Sequence, residues 1–208
     1  MTSQQRRELW IIAGVAIVAF LALLIAATDP AVTALDDGTK TVVRSGRHPL
    51  LGPSMQTLTR LGSGYVQLPL AAVVCAAVWR RHRRLARSVV VVSAATVVAV
   101  AVLKWLIGRP RPNLTTYGFP SGHVLGTLVL SGVLLYLLWV FAVGRGWRAG
   151  AAVGFALLTI GVAYSRLYVN AHWLTDVMGG VTGGFAATAL AVLFMDGQLT
   201  DEPAVPPG

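Results

Sequence analysis

The sequence predicts an all-α fold, a polytopic membrane bundle of six transmembrane helices with a short interfacial helical region after the first. Three observations lead there. Hydrophobic residues fill 55% of the 208 positions and charged residues only 12%, too apolar for an ordinary soluble domain. The apolar residues are gathered into six runs, each bounded by charges or helix breakers. The basic residues that bring the net charge to +9 stand at the ends of those runs and form no patch interleaved with aromatics. The expected partner is therefore a lipid bilayer, and nucleic acid is not expected.

Arg6 and Arg7 precede the first run, residues 9–27, which is long enough to cross roughly 30 Å of hydrocarbon. Ala26-Ala27 resembles a processing site, but the run is longer than the usual ~7–15 residue core of a signal peptide, so an uncleaved anchor is expected. Residues 28–67 carry Asp29, Asp36, Asp37, Lys40, Arg44 and Arg47 and are too polar to span. They read equally as a solvated loop or, from Val42-Val43 and the Leu58, Leu61 spacing, as short helices lying on the membrane surface. Five further runs follow at 65–79, 88–107, 123–143, 149–164 and 177–195. In the last, Gly179 and Gly183, and Gly180 and Gly184, form two small-xxx-small pairs that predict close helix packing. Cys75 has no second cysteine to pair with and reads as a small core residue. Residues 1–195 thus form one membrane domain, and 196–208 read as a disordered tail.

Orientation follows from the lysines and arginines. With the N-terminus inside, nine of them lie on the cytoplasmic side, including the five of Arg80, Arg81, Arg83, Arg84 and Arg87, against eight on the other. Four of those eight, Lys104, Arg109, Arg111 and Arg166, belong to a candidate site and have another reason to be there. Setting them aside places that site on the extracytoplasmic face.

Three short polar strings are set into the apolar second half of the chain: Lys104 with Arg111-Pro112; Pro120-Ser121-Gly122-His123; and Ser165-Arg166 with His172 and Asp176. Each lies where an apolar run begins or ends, so the folded chain can bring all three to one membrane surface. A cluster of cations repels itself unless an anion sits within it, and guanidinium forks match phosphate oxygens in pairs. Pro120 and Ser121 stand where a helix-initiating proline and an N-cap serine belong. The same position points free N–H groups at an anion, which Gly122 lets approach closely. Four residues of helix would put His172 and Asp176 on one face, where the carboxylate accepts the Nδ1 proton and leaves Nε2 as nucleophile or base. His48 and His82 have no such company.

Between Asp37 and Asp196 the one acidic residue is Asp176, so a two-metal site built from carboxylates is excluded. A single metal on His123, His172 and Asp176 is the remaining metal option, but the surrounding cations favour an anion. No metal and no cofactor are expected.

Together the three strings, Lys104-x6-Arg111-Pro112, Pro120-Ser121-Gly122-His123 and Ser165-Arg166-x5-His172-x3-Asp176, resemble the three-part motif of the type 2 phosphatidic acid phosphatase family. The resemblance covers about the C-terminal half of the chain. It implies a metal-independent phosphatase with a phosphohistidine intermediate: His172 attacks phosphorus, Asp176 orients it, and His123 protonates the leaving oxygen. Lys104, Arg111, Ser121, the Gly122 backbone and Arg166 are implied to hold the phosphoryl oxygens. Two positions depart from the family habit, Asn170 where a glycine is frequent and Val124 where an alanine is common. Asparagine tolerates a left-handed backbone, so the turn before His172 is expected to survive.

The family includes soluble vanadium haloperoxidases, from which six spans separate this chain. The membrane members it resembles act on polyprenyl diphosphates, phosphatidylglycerol phosphate or phosphatidic acid. A membrane lipid phosphate is accordingly the expected substrate, and the Ala, Val, Arg and Gly richness fits a bacterial plasma membrane. Two alternatives share the residues: a lipid phosphotransferase with the same intermediate, and a non-catalytic lipid-binding or translocating protein. The second gives no role to the His172 and Asp176 pairing.

Overall fold

The structure, a computed structural model, describes residues 1–114 and 116–200. Helix α1 (Ser3–Ala26) starts at Thr2, whose hydroxyl accepts the Gln5 N–H at 3.2 Å while the Gln5 side chain accepts the Thr2 N–H at 2.9 Å. This reciprocal cap satisfies two of the free donors of the first turn. Helix α2 (Pro30–Ser45) starts on the Asp29 carboxylate, which accepts from Ala31 N at 2.7 Å, with Pro30 at its first position. A 3-10 turn (Pro49–Leu51) and α3 (Gly52–Leu61) follow. The polar connection is therefore helical, as the interfacial reading expects, and not a solvated loop.

Helices α4 (Gly64–Trp79), α5 (Arg83–Ile107), α6 (Gly122–Val140), α7 (Arg145–Tyr168) and α8 (Leu174–Thr200) complete the bundle. All six apolar runs fold as helices. Five of them, α1, α5, α6, α7 and α8, are individually long and apolar enough to cross a membrane. The sixth span is reached by taking α3 and α4, bent by 47° at their junction, together. With 16 residues at about 1.5 Å each, α4 alone falls short of the hydrocarbon core.

Helix α6 is the centre, touching α4, α5, α7 and α8. Val129, Val133, Tyr136 and Leu137 on it pack with Leu85 and Val89 of α5 and Met195 of α8 in one core. Val124, Val162 and Val177 form a second, smaller core that joins α6, α7 and α8. The Cys75 side chain is partly buried against the larger core. Valines 90, 91, 97, 98 and 102 of α5 face outward, as a lipid-facing helix requires.

Both glycine pairs of α8 are used. A side chain at Gly180 would meet the Ser121 carbonyl oxygen at 2.7 Å and Val124 Cβ at 3.1 Å, and one at Gly184 would meet Leu128 of α6. On the neighbouring face, Gly179 opposes Phe119, and Gly183 opposes Phe20 of α1. Where lipid is as apolar as leucine, such backbone approach carries much of the helix association. Gly180→Ala is therefore expected to destabilise by about 1–3 kcal/mol, since a backbone carbonyl must move. Gly154→Ala, on an open face of α7, is expected to stabilise by about 0.5–1 kcal/mol. Thermal unfolding in detergent checks both, and equal effects would reject the packing account.

At the other end of the bundle the sequence expectation of a tail from residue 196 is corrected. Helix α8 continues to Thr200, and Asp196 is buried at 2% exposure. Its carboxylate accepts from Arg6 Nε at 2.8 Å and from Tyr136 Oη at 3.3 Å. A paired carboxylate does not end a helix, which is why its charge misled. The rest of the predicted tail, 201–208, lies outside the described residues.

Candidate active site

The three polar strings meet at one end of the bundle. Lys104, in the last turn of α5, donates from Nζ to the carbonyls of Tyr117 and Gly118 at 3.1 and 3.2 Å, and Arg111 Nε donates to the Tyr117 carbonyl at 3.1 Å. The loop between α5 and α6 is thus folded back onto its own cations. The Ser121 N–H donates to the Asp176 carbonyl at 2.8 Å and ties the second string to the third. His123 follows Gly122 in the first turn of α6, within the string that this bond ties to Asp176.

Ser121 occupies the N-cap position of α6, but its hydroxyl makes no capping bond. This corrects the expectation that it caps and binds at once; the backbone angles alone place it there. Gly122 is needed for packing too, since a side chain on it would meet Val100 of α5 at 2.9 Å. Val124 is fully buried opposite Gly180, so the larger side chain is accommodated by the smallest possible neighbour.

Arg166, in the last turn of α7, is 6% exposed and donates from Nη1 to Thr59 Oγ1 of α3 at 2.5 Å. After it the chain turns through Asn170 at φ 59°, the left-handed angle that asparagine tolerates. His172 precedes α8 and is not part of it, so the expected helical pairing is replaced by a turn. It still reaches Asp176: the imidazole Nδ1 donates to Oδ2 at 3.2 Å, and the Trp173 N–H donates to the same oxygen at 3.1 Å. The other oxygen accepts from Arg109 Nη1 at 2.9 Å.

Asp176 is fully buried, and both its oxygens are occupied. Among the described residues no group of three His, Cys, Asp or Glu side chains is placed as metal ligands would be.

Arg109 does not join the anion-binding cations with which the sequence groups it. It bridges Asp176 to Asp36 of α2, donating from Nη2 to Asp36 Oδ2 at 2.6 Å. Asp36 also accepts the Thr175 N–H at 3.0 Å and the Thr175 hydroxyl at 2.6 Å. Sequence reading missed Asp36, Thr175, Thr59 and Gln67; the last joins α4 to α6 by donating to the Gly62 carbonyl and to Thr127 Oγ1, both at 2.9 Å. One signal for Asp36 was available: it is an acid on an interfacial helix facing a cation-rich neighbourhood.

Three buried polar atoms of this region, Ser121 Oγ, Arg166 Nε and His172 Nε2, have no hydrogen-bond partner among the described residues. Such atoms are costly and rare in folded proteins. Two can donate to an acceptor, and the third, with Nδ1 committed to Asp176, presents a lone pair. That combination suits a tetrahedral oxyanion whose central atom lies in front of an imidazole.

Burial lowers the His172 pKa from the usual 6.5 to about 4, although the hydrogen bond and charge of Asp176 act upward. Because the folded state holds this proton more weakly than the unfolded chain, the associated stability is complete above pH 6.5 and is lost as pH falls toward 4. Between pH 6.5 and 5 the loss is on the order of 2 kcal/mol. His172→Asn is expected to flatten the acid side of a Tm against pH profile; an unaltered slope would show that His172 is not held neutral.

The fold and this site define a polytopic helical membrane protein with a histidine pair ringed by cations at one end of its bundle. Residues 85–199 match the PAP2 superfamily model, and the chain belongs to that superfamily. It is 27% identical over 175 residues to phosphatidylglycerophosphatase B of Bacillus subtilis, covering 79% of this chain and 85% of that protein. It is 28% identical over 142 residues to an undecaprenyl-diphosphatase of Sulfolobus acidocaldarius, covering 61% of this chain and 62% of the length of that relative. The fold is shared with the crystal structure of a transmembrane PAP2-type phosphatidylglycerolphosphate phosphatase from Bacillus subtilis, at TM-score 0.83 and 24% identity over 92% of this chain and 98% of that one. Aquifex aeolicus LpxE is more distant, at TM-score 0.57 and 22% identity over 73% of this chain and 91% of that one.

Proposed function

We propose that this protein is a metal-independent lipid phosphatase that removes the phosphate, or splits the diphosphate, of a membrane lipid through a phosphohistidine intermediate. The observation that carries the reading is the set of buried, unpartnered Ser121 Oγ, Arg166 Nε and His172 Nε2, brought together from two of the strings. The names of relatives as a phosphatidylglycerophosphatase and undecaprenyl-diphosphatases support the lipid class.

In this reading His172 Nε2 attacks phosphorus in line with the leaving oxygen. The P–O bond to the lipid or to its inner phosphate breaks as the P–N bond forms, and His123 delivers a proton to the departing oxygen. Asp176 keeps the Nδ1 proton in place and stabilises the charged ring. Lys104, Arg111, Arg166, Ser121 and the Gly122 N–H hold the equatorial oxygens, where phosphoryl transfer needs stabilisation most. Water activated by His123 then cleaves the P–N bond and releases inorganic phosphate. The work is thereby divided into two lower barriers.

The composition supports a bacterial plasma membrane, and the charge distribution supports the extracytoplasmic face for the site: with its four cations set aside, nine basic residues lie on the opposite side against four on its own. The test is phosphate release from polyprenyl diphosphate, phosphatidylglycerol phosphate and phosphatidic acid by the detergent-purified protein with excess EDTA. Release that persists with EDTA is expected; release abolished by EDTA would restore a metal mechanism. A phosphorylated acceptor in place of free phosphate would convert the assignment to phosphotransfer.

A further inference from the structure

The end of the bundle away from the catalytic site carries a second concentration of cations that the proposed chemistry does not use. A cavity of about 400 Å³ lies there, lined by Arg84, Arg87, Ser88 and Val91 of α5 and by Phe194 and Gln198 of α8. A neighbouring cavity of about 360 Å³ is lined by the arginines from Arg80 to Arg87 with Gln198 and Leu199. Among the described residues, no acidic side chain lines either cavity. Asp196, one turn away, is committed to Arg6 on the α1 side.

The first cavity does not stop at its polar mouth. Val91 and Phe194 also line an apolar groove of about 450 Å³ between α1, α5 and α8, which continues past Ala95 and Ala99 to Leu103. On α5 the face therefore runs from arginine through serine to valine, alanine and leucine at helical spacing. From Val91 to Leu103 it extends about 18 Å at 1.5 Å per residue, close to the depth of one leaflet of a roughly 30 Å hydrocarbon core.

We propose that this face is a binding site for an anionic phospholipid of the leaflet opposite the catalytic site. The phosphate sits among Arg87 and its neighbours at the mouth, and one acyl chain lies in the groove. Charge complementarity selects the headgroup, since basic pockets between spanning helices attract anionic lipid. Continuity of cavity and groove selects a lipid over a free phosphate. A lipid tail entering from the catalytic end would fill the same groove but would leave the arginine mouth without a role.

Native mass spectrometry of the whole protein in detergent tests this by counting bound phosphatidylglycerol and phosphatidylcholine. Phosphatidylglycerol is expected to bind more tightly, and Arg83→Gln with Arg87→Gln to weaken it roughly thirty-fold, the weight of two interfacial cations. The corresponding double lysine variant should keep most of the preference, which separates charge from folding. Ala95→Phe should weaken the long-chain lipid and leave dihexanoyl phosphatidylglycerol unaffected. Equal binding of the two lipids would overturn the site. Long-chain binding lost in Ala95→Phe but untouched by the arginine changes would assign the groove to a tail from the catalytic end instead, and indifference to Ala95→Phe would reduce the site to an anion contact. Because binding is read without turnover, these outcomes do not depend on the phosphatase reading.

Discussion

His172→Ala is expected to abolish phosphate release, lowering kcat by at least about 10⁴-fold, while the protein elutes and unfolds as a folded membrane protein. In the proposed mechanism this change removes the nucleophile and leaves the cations and the helix terminus in place, but no atom to form the intermediate. The buried Asp176 keeps the Arg109 and Trp173 donors when the imidazole is gone, so the site does not lose its charge balance. His123→Asn is expected to behave differently. An acid that protonates the leaving oxygen contributes about 10²–10⁴-fold, and only where the leaving group is strongly basic. With para-nitrophenyl phosphate, whose leaving oxygen needs no proton, the first step of His123→Asn should largely recover, whereas His172→Ala should not. Burst kinetics read that first step separately from hydrolysis of the intermediate. Turnover retained by His172→Ala on any substrate would reject the assigned nucleophile.

Arg109→Gln is expected to be among the most destabilising single changes in the chain, by about 3–5 kcal/mol. The arginine side chain is 11% exposed and lies between two carboxylates, Asp36 and Asp176, that are both fully shielded from solvent. Without it two buried anions face each other with no cation between them, and one must take up a proton or leave the core. The expected drop in Tm is on the order of 10 °C. The orientation of His172 depends on the same Asp176, so kcat should fall as well. Asp36→Asn removes one of the two anions and leaves Arg109 paired with Asp176, so its effect should be smaller. The double variant should cost less than the sum of the singles, the signature of residues in one network. Arg60→Gln, an exposed arginine of α3, is the control and should change stability by no more than about 0.5 kcal/mol. An Arg109→Gln protein as stable as that control would show that the network does not hold the site.

The sequence by itself determined the class of fold, because hydropathy is a property of local windows and six such windows stand out against the polar connections. It determined the cations and histidines of the candidate site as well, since the motif positions lie within three short strings whose spacing is visible without coordinates. Even the left-handed turn at Asn170 was expected, from the glycine that the family resemblance places there and from asparagine's tolerance of that angle. The partners of those residues were decided only in three dimensions. Asp36 reaches Arg109 across 73 residues, Thr59 reaches Arg166 across 107, and Arg6 reaches Asp196 across 190. Each pairing depends on how deep a helix sits and which face it turns to its neighbour, and no local pattern records either. Tertiary packing therefore converted Arg109 from an expected anion ligand into the bridge of two carboxylates, made a helical residue of Asp196, and drew the polar connection of α2 and α3 over the site. The physical reason is common to all three: apolarity is additive along the chain, whereas the pairing of a buried charge is a property of two segments at once.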